Sequence, residues 1–256
     1  MNPTTGVLSE AWDAYTKHWK HLLPIALVVY VIVGLASALF TSTLGIIGAL
    51  LASAVSIVGL YLMQGALTEA VADIRDGRAD LSIGDTFRRV SPKLGPIIGA
   101  GLLAGFGIAI GLLLLIVPGL ILLTLWAVII PVIVLENKGV FDSFGRSQQL
   151  VRGHGFPVFG IIILTFLILF AFNLVLGLLL VPLPDGVAGF LSNLISGTLT
   201  APFIALTWTM LYYRLVGVEG AAPQVPQSQP PLTTDNEPPT TQHQQPPSSQ
   251  QPPSST

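Results

Sequence analysis

The chain has 256 residues, of which 52% are apolar and only 9% charged, with a formal net charge of −2 and no cysteine. Soluble domains carry roughly 25% charged residues, so a water-soluble fold of this length could not cover its surface with so few. The missing cysteines exclude disulfides, thiolate-held zinc, iron–sulfur clusters and thiol catalysis, and the near-neutral charge implies no nucleic-acid partner.

In chain order an amphipathic stretch comes first. At helical spacing Leu8, Trp12, Tyr15, Trp19 and Leu22 share one face, opposite Glu10, Asp13, Lys17 and Lys20. Such a helix can lie in a membrane interface with tryptophan at headgroup depth. The other reading is a connector packed against the bundle. Apolar runs then follow near 22–43 and 44–67, each exceeding the roughly 18 residues that suggest a membrane span. The first begins only after Trp19, Lys20 and His21, with no small-residue cleavage site behind a short apolar core. It reads as a retained span and not a signal peptide.

A second amphipathic stretch carries Ile83, Phe87, Val90 and Leu94 on one face, limited by Pro92. The run from Leu94 to Leu135 holds no charge and is far too long for one crossing. Val117-Pro118-Gly119 lies in its middle, where proline removes a donor and glycine permits a tight turn, so a hairpin tip is expected there. Spans near 94–117 and 119–136 result. A third amphipathic stretch sets Phe141, Phe144 and Val151 against Asp142, Arg146 and Gln149, followed by spans near 156–181 and 187–214.

Lysine and arginine decide the number of spans. All eleven fall in four places: Lys17 and Lys20; Arg75, Arg78, Arg88, Arg89 and Lys93; Lys138, Arg146 and Arg152; and Arg214. Six spans put these on one face, and the opposite connections near Thr43, Pro118 and Asp185 contain neither residue type. The positive-inside bias makes the basic face cytoplasmic, with both termini there and the protein in the cell (inner or plasma) membrane.

The expected fold class is therefore all-α: a six-helix transmembrane bundle over residues 1–219, built from three amphipathic-helix-plus-hairpin units. Pro24, Pro96 and Pro157 mark where odd spans enter the membrane, and Gly77, Gly139 and Gly217 are expected C-caps of the even ones. Residues 220–256, rich in Pro, Gln, Ser and Thr, cannot bury enough apolar surface to offset ordering entropy, so a disordered cytoplasmic tail is expected. Its paired prolines favour extended conformations that a proline-reading protein partner could bind, or the tail is simply solvated.

Charges inside the hydrocarbon usually mark an ion or substrate path, and mid-span this chain has essentially none. Glu69, Glu136 and Arg214 lie near the basic ends of the even spans, able to reach headgroups or one another. Gln64 and Asn173 are the main polar side chains further in, read as bonding to neighbouring helices. Gly95-x-x-x-Gly99, Gly101-x-x-x-Gly105 and Gly107-x-x-x-Gly111 suit a central, closely packed third helix, although dimerisation would use the same feature. There is no G-x-S-x-G elbow, no H-E-x-x-H and no phosphate-cradling G-x-x-x-x-G-K. His18, His21, His154 and His243 have no carboxylates at metal-ligand spacing, so neither metal nor cofactor is expected. Arg146, Arg152 and His154 form, with Asp142, the densest polar cluster, a candidate site for a lipid phosphate. Setting topology is the alternative role for the two arginines.

The stretch Val117-Pro-Gly-Leu-Ile-Leu-Leu-Thr-Leu-Trp126, then Val134-Leu-Glu136-Asn-Lys-Gly139, Ser143-Phe-Gly-Arg146-Ser147 and Leu150-Val-Arg152-Gly153-His154 resembles the membrane-domain family named after glycerophosphoryl diester phosphodiesterase and related six-span membrane proteins. In some members that domain is similar to an accessory membrane part joined to a catalytic barrel. Here only the tail follows, so the enzyme name is not expected to transfer. The resemblance implies structural roles for Pro118, Gly119, Trp126, Glu136, Arg146, Ser147, Arg152 and Gly153. The functional expectation is a non-enzymatic scaffold or lipid-organising accessory at the cytoplasmic face. The alternative is a facilitator for an uncharged or lipidic solute, with a cavity lined by Gln64, Asn173 and Asn193.

Overall fold

The first helix, α1 (Val7–Arg75), contains 69 residues and would reach about 100 Å if straight. It is not straight. Gly45 has φ 54° and ψ −125°, a conformation open to glycine, and the chain reverses there. Ser37 and Ser56 consequently meet at 3.4 Å across the hairpin. A β-carbon at Gly48 would run into the Phe40 carbonyl, so only glycine fits the inside of the turn. A second departure at His18 (φ −116°) separates an amphipathic segment, residues 7–17, from the first long leg. The two expected spans are thus the legs on either side of Gly45. The computed structural model describes residues 5–77 and 81–221. Of the tail expected over residues 220–256, the first two residues belong to the last helix and the rest lie outside the described residues.

The second unit opens with α2 (Ile83–Val90), whose N-cap Ser82 accepts a hydrogen bond from the Asp85 N–H at 3.1 Å. A single 3₁₀ turn over Ser91–Lys93 accommodates Pro92 and leads into α3 (Leu94–Leu114). The hairpin tip is Leu115, in extended conformation (φ −156°), and not Val117-Pro118-Gly119. Pro118 sits inside the first turn of α4 (Ile116–Leu125), where a helix makes no use of its N–H groups. Gly119 instead lets the two legs touch: a β-carbon on Gly111 would lie 2.9 Å from the Gly119 Cα.

The fourth span is also interrupted. After α4 the chain loses helical form at Trp126–Val128 and resumes as α5 (Ile129–Glu136). Pro131 has no N–H to offer the carbonyl of Ala127, four residues earlier, and its ring disfavours continuous helix there. The third unit comprises α6 (Val140–Val151), α7 (Gly155–Leu180) and α8 (Asp185–Ala221). Of the three expected glycine caps only Gly77 (φ 77°) serves, receiving the turn that ends α1. Asn137 (φ 54°) ends α5, Gly139 precedes α6 as its N-cap, and Gly217 lies within α8.

The described residues are all-α, and the apolar segments long enough to cross a membrane leave much of their surface open, as lipid-facing helices do. One core joins both legs of α1 to α8, α7 and the start of α5, through Leu22, Ile25, Met63, Leu67, Leu206 and Leu211. A second, around Ile97, Ile129 and Ile133, seats α3 on α5 and α6. Four glycines of α3 are used within the chain: Gly99 faces Val140, Gly101 Tyr61, Gly107 Trp126 and Gly111 Gly119, whereas Gly95 and Gly105 meet nothing within 4 Å.

Candidate functional site

Most of the candidate site's charge is at the end of the bundle opposite the tips, where even spans end and amphipathic helices begin. The helix of each even span carries there a charged residue that pairs with the next unit. Glu69 accepts from Lys93 at 2.7 Å, with both side chains largely buried. Glu136 accepts from Arg146 Nε at 2.9 and 3.0 Å. Arg214 donates to Glu10 at 2.7 and 3.0 Å, which returns the third unit to the first. The pairings close a ring, with the sign reversed at the last joint.

Secondary contacts reinforce the ring. Lys93 also donates to the Val134 carbonyl at 2.5 Å, and Tyr212 donates to Glu136 at 3.0 Å. Arg75 lies over the Tyr213 ring at 4.3 Å and 3.5 Å from Glu10. Arg146 spends its remaining edge on Glu219, with two parallel bonds of 2.7 Å. Those bonds are the largest cause that raises the Arg146 pKa above its ordinary value; partial burial opposes them and the Glu136 bonds add to them. Of the three residues expected at a lipid phosphate, Arg146 is engaged within the protein. Its guanidinium is held by two carboxylates, and α6 is fastened by it to α5 and α8.

Ser147, one residue on, braces the interrupted span. Its hydroxyl donates to the Leu125 carbonyl at 2.8 Å and accepts from the Val128 N–H at 3.4 Å, on either side of the break. Trp126 packs edge-on against Phe144 at 4.9 Å. Without such partners, backbone groups freed inside a bilayer cost several kcal/mol each.

A different set of basic residues has no carboxylate within 4 Å among the described residues: Lys17, Lys20, Arg89, Lys138 and Arg152, all exposed. Exposed aromatics accompany four of them. Trp12 (56% exposed) shares the amphipathic segment with Lys17, and Trp19 (47%) and Lys20 follow just past the break at His18, with Lys20 5.7 Å from the Trp19 ring. Phe141 (78%) follows Lys138, and Phe156 (89%) follows Arg152. Gly153 turns the chain (φ 86°) between Arg152 and His154, whose Nδ1 is buried without a partner among the described residues. Arg152 therefore faces outward, whereas His154 is turned partly into the bundle.

Of the three amides expected to line one cavity, Gln64 and Asn193 line different ones. Asn173 accepts from Ser196 on α8 at 2.6 Å and donates to the Leu169 carbonyl at 2.8 Å. Asn193 lines a cavity of about 450 Å³ between the α1 legs and α8. Gln64 lines another, of about 310 Å³, beside the break in the fourth span. No cluster of three metal-ligating side chains occurs among the described residues. Sequence reading missed the partners Glu10, Lys93, Tyr212 and Glu219, because joints between units cannot be read from local patterns. Pro131, four residues beyond Ala127, was the available signal for the break.

Long apolar helices with their charges gathered at one end define a polytopic helical membrane protein. The family model for the membrane domain of glycerophosphoryl diester phosphodiesterase matches residues 100–246, more than half of the chain, which therefore belongs to that family. No curated protein and no solved structure gives a match.

Proposed function

We propose that this protein is a non-enzymatic accessory of the cell membrane that organises anionic lipid at its basic, cytoplasmic face. The observation that carries the reading is the sorting of charge. Five basic residues are consumed in ion pairs, while Lys17, Lys20, Lys138 and Arg152 are unpaired and stand within a few residues of exposed tryptophan or phenylalanine. An aromatic ring at headgroup depth beside an unpaired cation suits an anionic leaflet. Basic side chains near such a surface contribute about 1 kcal/mol each.

Lipid retention tests this reading. Lys138→Gln with Arg152→Gln should lower affinity for phosphatidylglycerol nanodiscs by roughly 30-fold, taking about 1 kcal/mol for each lost charge. Thermal stability in neutral detergent should be unchanged, since neither side chain has an ion-pair partner among the described residues. Loss of stability with unchanged lipid binding would overturn the proposal.

A further inference from the structure

We propose that the cavity beside the interrupted fourth span is a binding site for a neutral amphiphile, an alcohol with an apolar body of about ten carbons. The cavity measures about 310 Å³ and lies among the second leg of α1, α3, the Trp126–Val128 break and α8. That is at the lower end of the roughly 300–1,000 Å³ of small-molecule pockets, and equals roughly ten water-sized groups at about 30 Å³ each.

Its walls are held from behind. Ser147 braces the break, Phe144 and Gly107 fix Trp126, and Gly101 leaves room for the Tyr61 ring. Gly105 faces the space, and a β-carbon there would meet nothing within 4 Å. Irregular backbone at membrane depth is tolerated where it lines a cavity or is buried in protein.

The lining selects the ligand class. It contains no Asp, Glu, Lys, Arg or His, so a charged solute would have no counterion. Most of it is apolar, so ten waters would lack the two to four polar partners each requires. Yet Gln64 presents an amide whose side chain has no hydrogen-bond partner among the described residues; only its backbone carbonyl is engaged, by Thr68 at 2.8 Å. A single hydroxyl gives that amide a hydrogen-bond partner while the chain fills the space along Trp126 and Trp208. The site is independent of the lipid phosphates proposed for the basic face.

The four tryptophans make the test direct. In a Trp12→Phe, Trp19→Phe background in nanodiscs, fluorescence reports Trp126 and Trp208, and 10-bromodecanol should quench it saturably. Gly105→Leu should abolish the saturable component, and Gly105→Ala should weaken it several-fold. Gln64→Leu should weaken bromodecanol about tenfold, one hydrogen bond's worth, while leaving 1-bromodecane unaffected. If the leucine variant fails to fold, the alanine and Gln64 variants still decide. Quenching that stays linear with probe concentration, or is the same in every variant, overturns the proposal. Equal affinity for the bromoalkane and the bromoalcohol also overturns it.

Discussion

Replacing Arg146 with glutamine isolates the joint between the second and third units. In the folded protein its side chain is 21% exposed and donates to Glu136 at 2.9 and 3.0 Å and to Glu219 at 2.7 Å twice. The two arms are unequal. Glu136 is 18% exposed and also accepts from Tyr212, whereas Glu219 is 48% exposed. Hydrogen bonds to partly buried charged groups are worth about 1.5–3 kcal/mol, and exposed ion pairs about 0.2–1 kcal/mol. Arg146→Gln should therefore cost about 2–4 kcal/mol, most of it from leaving the Glu136 carboxylate with Tyr212 alone. Glu219→Gln should cost less than about 1 kcal/mol. Thermal or denaturant unfolding in detergent measures both, and an Arg146→Gln, Glu136→Gln double variant should recover part of the loss. The reasoning fails if Arg146→Gln costs under about 0.5 kcal/mol, or if Glu219→Gln costs as much as Arg146→Gln.

Two further outcomes are expected. Ser147→Ala removes a bond to Leu125 and orphans the Val128 N–H, so it should cost about 1–3 kcal/mol in the same unfolding assay. Ser143→Ala should cost less, because the Ser143 hydroxyl serves only its own helix at Val140; the reverse order would mean that the break needs no brace. With no native cysteine, Leu115→Cys at the exposed tip should react with an impermeant thiol reagent from the non-cytoplasmic side, and Gln149→Cys only after the membrane is opened. Labelling of both from one side would refute the six-span topology.

The sequence by itself determined the membrane class, the all-α architecture and the division into three units. These follow from long apolar runs, from helical spacing of aromatic residues and from the placement of eleven basic residues, all of which act locally or by simple addition. It also located the amphipathic segments and placed the first reversal near Thr43, two residues before Gly45. The exact tip at Leu115 was not legible, because Pro118-Gly119 has the composition of a turn yet is better used inside one. Proline fits the first turn of a helix, and glycine fits the close approach to Gly111. The partners of Arg146 could not be read either. A basic residue near a membrane suits a phosphate and a carboxylate equally well, and Glu136 and Glu219 reach it from other helices. The same holds for Ser147 and Gln64: one is matched to a break in a neighbouring span and the other is left facing a cavity, outcomes set by packing between segments far apart in the chain.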